Sequence, residues 1–339
     1  MLEPFIEHKP TRESCWRAIV MMGRNVASYK FALAASLIEL SSKGTEVISL
    51  EALAAPFSRN LCEHLKHSEK QITSARSRFL DTCTQANAGE ISSESLLEST
   101  VKLGFVNVID AFHIVNQGDT PVRFFNDERK TRGGITLTDE FFLLAEGSQF
   151  ANLPHEVEAR WNLVETAWEL KMAANLLTVE YDVEGGRLYV PRHDTRRVDI
   201  TSCRDALNGY QKGKCFYCFD DISIEPGNER LAHVDHFLPH VLKQYRVIPS
   251  LDGVWNLVLA CQRCNSGKLA RAPRSSYLAR LDTRNNYLIS SHHPLRETLA
   301  LQTGSTQRSR RSFLSRVHQL AMDRLLHVWG PDYEFEKAF

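Results

Sequence analysis

A chain of 339 residues, 43% hydrophobic and 24% charged, has an ordinary globular composition and enough length for about two domains. Its formal net charge is zero, so the whole-chain figure gives no sign of a nucleic-acid binder. No stretch approaches the roughly 18 uninterrupted apolar residues of a membrane span, and the start, Met-Leu-Glu-Pro-Phe-Ile-Glu-His, lacks the basic and apolar segments of a secretion signal. A cytoplasmic protein with no membrane contact is expected.

The neutral total conceals an asymmetry. From Thr201 onward 19 Lys and Arg face 13 Asp and Glu, which leaves +6 there and −6 in the first 200 residues. Between Lys268 and Arg316, ten basic residues face only Asp282 and Glu297. Four of the eight cysteines form Cys-x-x-Cys pairs, while Cys15, Cys62, Cys83 and Cys203 are scattered. Reduced thiols plus one metal cage explain that pattern better than disulfides.

Residues 15–22 form an apolar run, and 29–40 read as a helix buried on most sides, with Gly44 as a stop signal. Ser49 is expected to cap a helix through Ala55, and Pro56 to break it before a second short helix. No basic face follows, so a helix-turn-helix reading is set aside. Thr73–Ala88 is polar and reads as an exposed helix running into a loop. A helical period returns from Ser93 and ends at Gly104. Val106–Val115 is a buried strand or helix that periodicity does not resolve. Asn116–Gly134 is loop-like, with Arg123, Arg129, Lys130 and Arg132 solvated or touching a phosphate or partner.

Glu156–Leu177 is the clearest amphipathic helix of the first half, carrying Trp161, Val164, Trp168, Met172 and Leu176 on one face. A β-hairpin from Thr178 to Pro191 follows around Gly185-Gly186 and is expected to close the first domain. The polar segment from Pro191 to Arg197 is the expected linker, which gives domains 1–197 and 198–339. Thr201 or Ser202 should cap a helix stopping at Gly209. The phrase Gly209-Tyr-Gln-Lys-Gly213-Lys214-Cys215 has the wrong spacing and final residue for a phosphate loop.

The chemistry lies between Cys215 and Lys268. Cys215-Phe-Tyr-Cys218 and Cys261-Gln-Arg-Cys264 can close one tetrahedral thiolate cage over an insert of 42 residues. Four thiolates leave zinc no open position, so this metal is structural. The insert holds Val234-Asp235-His236-Phe-Leu-Pro239, and Trp255-Asn256 and Cys264-Asn265-Ser-Gly-Lys268 border the second knuckle. His236 suits a general base, and Asp235 and Asn265 offer the hard oxygens that Mg²⁺ prefers. Adjacent strand residues point to opposite faces, so Asp235 and His236 can flank one phosphate only at a strand end.

Asp-His-x-x-Pro, an Asn leading an apolar strand, and Cys-x-x-Cys-Asn-x-x-Lys, with a Cys-x-x-Cys upstream, occur in the order of the HNH (ββα-metal) endonucleases, and over about the last 140 residues the chain resembles that family. Its variant here has Asn at the third position. The resemblance implies an α+β fold: a mainly helical front domain, then a zinc-stapled ββα-metal domain with C-terminal helices. It implies His236 as general base, Asp235 and Asn265 as ligands of one catalytic Mg²⁺ or Mn²⁺, and Asn256 as the residue that holds the loop and orients the His. Lys268, Arg263 and Arg271 would touch substrate, and the basic segment after Lys268 would contact the backbone of DNA. His233 and His240 flank the motif as supporting or surface positions, with phosphate or metal binding as the alternative for either. Restriction or bacterial anti-phage defence would be the setting.

The paired His292-His293 read as the start of a helix ending at Gly304, and Phe313–Trp329 as a final amphipathic helix packed on the nuclease core. The competing class is a non-catalytic zinc module that binds nucleic acid or protein. The first 197 residues show no functional motif; recognition, restraint of the nuclease, homodimerisation or a partner protein are all open for them.

Overall fold

The computed structural model describes residues 10–331, except 24, 43, 75, 116, 170–178, 192–196, 247, 249, 291, 292, 294 and 326. The fold is α+β. Two compact units divide it, Lys9–Met172 and a second unit that holds Ala173–Phe339. The hairpin around Gly185-Gly186 therefore lies in the C-terminal unit, whereas the sequence reading places the boundary at 197. Met172 and Leu176 of the expected long helix, and most of the expected linker, lie outside the described residues.

In the first unit, helices form where Ser or Thr offers an oxygen to the free amides of a first turn. Thr11, Ser49, Ser77 and Ser92 each accept from the backbone N–H three residues on. Helices Tyr29–Ser41, Leu50–His67 and Leu153–Glu169 are the longest. Pro56 does not break its helix. Leu50–His67 runs through it, because Leu53, Ala54, Pro56, Phe57, Leu61 and Cys62 are all buried. At about 1.5–3 kcal/mol per large apolar side chain, that face outweighs the ~3 kcal/mol cost of an interior proline. Arg78–Asn87 is likewise less exposed than its composition suggests, with Phe79, Leu80 and Cys83 buried.

Val106–Val115 resolves into a short helix, Val108–Ala111, and a strand, Ile114–Val115. The loop-like segment that follows contains strands instead. Phe125–Glu128 pairs antiparallel with Gly134–Leu137, which also pairs with Val47–Ser49. Gly134 is required there, since a Cβ would sit 2.1 Å from the Ile48 carbonyl oxygen. The basic residues of this segment pair locally: Arg129 with Asp110 and Asp127, Arg132 with Glu128, and Arg123 with Asp119. Trp16 packs against Phe112, Phe124 and Phe141 in the core, and the Arg17–Glu156 pair is buried at 2.8 Å.

The second unit opens on a three-stranded antiparallel sheet, Glu180–Asp182, Arg187–Pro191 and Arg197–Ser202, with the middle segment central. Helix Cys203–Gln211 follows. Ser202 holds its N-cap position without a side-chain cap bond, and the helix passes through Gly209 to end at Lys212 in the left-handed region. A two-stranded ribbon pairs His233–His236 with Leu257–Ala260, and helix Gln262–Lys268 packs on both strands. Behind them lie helices Ser275–Ser290, Arg296–Thr303 and Gln307–Arg324. Gly304 ends the second of these as expected, and the buried His293 accepts from the Leu295 amide just before it begins. The last helix stops at Arg324, and Val328–Trp329 forms a parallel strand with Ala272–Pro273.

Candidate metal centre and active site

Cys215 and Cys218 lie on a turn closed by two backbone bonds, Cys215 N–H to the Asp220 carbonyl (2.8 Å) and Phe219 N–H to the Cys215 carbonyl (3.0 Å). Phe219 takes a left-handed conformation, φ +62°, to tighten it. Cys261 caps helix Gln262–Lys268, its Sγ accepting from the Cys264 amide at 3.4 Å. All four sulfurs lie within 4.8 Å of one another, and those of Cys218 and Cys261 are 3.7 Å apart. Zn–S bonds of about 2.3 Å place tetrahedral thiolates about 3.8 Å apart. Donor type, number and spacing are therefore consistent with structural zinc.

The ribbon and the helix after it give the order strand, strand, helix, with the cage at the helix start. His236 ends its strand, opposite Leu257, and Asp235 stands opposite Val258. The pleat turns the two side chains apart. His236 points to Asp252, whose Oδ1 is 3.1 Å from Nε2. Asp252 also pairs with Lys243 and lies 3.7 Å from His240. Burial lowers the pKa of His236 against the opposing pull of Asp252 and Asp235, so the imidazole is neutral near pH 7. With Nε2–H donated to Asp252, the Nδ1 lone pair has no partner among the described residues. The ring lies 6.0 Å, centroid to centroid, from Tyr181 of the hairpin.

Asp235 faces inward. Its Oδ2 accepts from the Tyr217 hydroxyl at 2.6 Å, and its Oδ1 from Lys268 Nζ at 3.0 Å. Lys268 also donates to the His236 carbonyl at 2.7 Å and is fully buried, with its pKa lowered by desolvation. Lys268 thus cannot be the exposed phosphate contact expected from its position; it neutralises Asp235 instead. Asn265, half-buried one turn earlier, has no side-chain hydrogen bond among the described residues. A carboxylate has about four lone-pair positions, so a cation fits Asp235 only on those that Tyr217 and Lys268 leave.

Asn256 is fully buried. Its Oδ1 accepts from the Leu238 amide at 2.8 Å, and its Nδ2 donates to the carbonyls of Leu238 (3.0 Å) and Leu251 (2.8 Å). It ties together the two ends of the loop that carries Asp252, and so acts on His236 through the loop. Arg263 is exposed and paired with Asp220 at 2.8 Å, on the rim of the zinc cage. Arg271 folds back on the carbonyls of Gly267 and Lys268 at the end of the helix.

The basic flank is largely consumed inside the fold. Arg284 is buried and donates to the carbonyls of Val254 and Trp255. Arg310 is buried against Asn286 and Ser305. Arg280 donates to the carbonyls of Phe216 and Tyr217 and stacks on Phe219, and Arg311 pairs with Asp282. Arg284 and Arg280 fasten a C-terminal helix to the segment before the second strand and to the cysteine knuckle, Arg310 and Arg311 tie the C-terminal helices to one another, and Arg274, Arg308, Arg311 and Arg316 stay exposed.

Asp252 escapes a reading by motif. Its one signal is the Asp-Gly step ahead of Asn256, which looks like a turn until the fold returns it to His236. Among the described residues, no helix is long and apolar enough to cross a membrane. Comparison with family models, with curated proteins and with solved structures finds no match for the chain.

Proposed function

We propose that the C-terminal unit is a metal-dependent nuclease that hydrolyses phosphodiester bonds in DNA. The observation that carries this reading is His236, at the end of its strand, neutral, held through Nε2 by Asp252 and with Nδ1 unengaged. A general base needs a fixed orientation and a vacant lone pair, and a carboxylate on the far nitrogen supplies the first and stabilises the imidazolium that forms. Water would lose its proton to Nδ1 as its oxygen attacks phosphorus. The bond to the 3′-oxygen then breaks, leaving 5′-phosphate and 3′-hydroxyl ends. A divalent cation on the remaining Asp235 positions and the Asn265 carbonyl would supply charge neutralisation on the phosphate. The zinc cage fixes the helix that carries Asn265 and takes no part in the chemistry.

One observation favours a second reading, a zinc-stapled binding module without catalysis. Both oxygens of Asp235 already have partners, one of them an ammonium. Incubating zinc-loaded protein with DNA, with Mg²⁺ added or withheld, separates the two. Cleavage that requires Mg²⁺ and disappears in His236→Ala supports the nuclease. Intact DNA under all conditions, with zinc bound, leaves the binding module.

A further inference from the structure

A cavity of about 280 Å³ opens beside the catalytic strand. Tyr181, Arg187, Ser202, Arg204, His233 and Val234 line it, with the Gly185-Gly186 turn at its edge. The lining residues include two arginines, a histidine, a tyrosine and a serine from five separate elements, and no Asp or Glu is among them. Asp182 stands opposite Arg187 in the hairpin register. The Nε of Arg204 is buried with no hydrogen-bond partner. The Ser202 hydroxyl makes no cap bond to the helix it precedes. A guanidinium N–H left without an acceptor costs free energy, and the planar guanidinium fork matches the geometry of phosphate oxygens.

The cavity lies at the start of the strand that ends in His236, with both His233 and Val234 in its lining. Val234 and His236 are two residues apart on the same strand face, about 7 Å along an extended strand, of the order of one nucleotide step. Tyr181 lines the cavity and also lies beside the His236 ring.

We infer that this cavity is a phosphate subsite for the nucleic-acid strand, in which Arg187 and Arg204 hold the phosphate next to the one presented to His236. The inference rests on the nuclease reading, since it places the scissile phosphate at His236. Its ligand is a backbone phosphodiester, which gives binding without base selectivity.

Binding is measured apart from cleavage. The full zinc-loaded chain carrying His236→Ala is titrated against a fluorescein-labelled DNA duplex by anisotropy over a range of salt concentrations. The same is done with Arg187→Gln and Arg204→Gln added, and with Lys at both positions. Each lost phosphate contact should lower the slope of log K against log salt by about 0.9. The double Gln variant gives up one phosphate and is therefore expected to lose close to one from the slope and to bind more weakly. The double Lys variant should retain most of the slope. In the chain with His236 intact, the Gln pair should raise KM far more than it lowers kcat.

An unchanged slope in the Gln pair, with zinc content and melting temperature equal to the parent, overturns the subsite. So does a parent chain that binds no DNA. If the parent binds DNA yet the chain with His236 cleaves none, the nuclease reading fails. The slope of the Gln pair then still decides whether the cavity holds a phosphate.

Discussion

Asp252 and Lys268 change what the residues around the motif can do. Asp252 fixes the imidazole of His236, so Asp252→Ala should lower kcat by roughly 10²- to 10⁴-fold, the span of general acid–base contributions, with little change in KM. Steady-state kinetics on a labelled duplex checks it, and an unchanged kcat removes Asp252 from the site. Lys268 holds the charge of Asp235 inside the protein. Lys268→Met leaves a buried carboxylate without its cation, a change that costs about 3–5 kcal/mol for a broken buried pair. If Asp235 is a cation ligand, millimolar Mg²⁺ should recover part of that loss in a thermal melt, because a ligand bound only by the native state stabilises it. A Mg²⁺-independent melting temperature in this variant would tell against the ligand role. The four clustered cysteines could be named from the sequence because their chemistry is carried by residue type and spacing. The partners of Asp235 could not, since Tyr217 and Lys268 lie 18 and 33 residues away and meet it only through the fold.

Secondary structure was legible where a cap and an apolar period agreed, as in the helices that begin after Ser49 and end before Gly304. It was misread where burial overrode a local signal. Pro56 lies inside an 18-residue helix. Replacing it by Ala restores a backbone N–H and relieves the clash, worth ~3 kcal/mol, and removes about two buried methylenes, worth ~1.6 kcal/mol. Pro56→Ala should therefore stabilise the first unit by about 1 kcal/mol in urea melts, and a destabilised variant would show that the helix depends on the ring. The strands Phe125–Glu128 and Gly134–Leu137 were hidden for a related reason. Their segment is rich in charge and glycine, and those charges are used in cross-strand and neighbouring ion pairs such as Arg129 with Asp127 and Asp110. The basic stretch after Lys268 looks on paper like a DNA-binding face, yet Arg284 and Arg310 are buried within the unit.

The two units answer to different conditions. The four-cysteine cluster belongs to the C-terminal unit; if it holds structural zinc, Cys261→Ser should abolish zinc content and the cooperative unfolding transition of that unit, read by metal analysis and calorimetry, and retained zinc with an unchanged transition would refute the cage. The first unit carries a proton-linked network. His64 stacks on Trp161 at 3.5 Å, with Glu165 at 2.8 Å and Glu158 at 3.2 Å from its ring nitrogens. Burial alone would lower its pKa, but hydrogen bonds to the two carboxylates raise it to about 9. The folded value lies above the unfolded 6.5, so the imidazolium's contribution is complete below pH 6.5 and is lost as pH rises through 9. Urea midpoints of this unit should fall between those limits, and His64→Gln should flatten the trend. What the sequence alone determined is the chemistry that depends on residue identity at short spacing: the thiolate pairs, the neutral-range imidazole and the caps. The tertiary structure decided which charges face each other. Asp252 on His236, Lys268 on Asp235, and Arg187 with Arg204 in one cavity come from separate elements, and electrostatic interactions are set by distance and burial in space, which spacing along the chain does not encode.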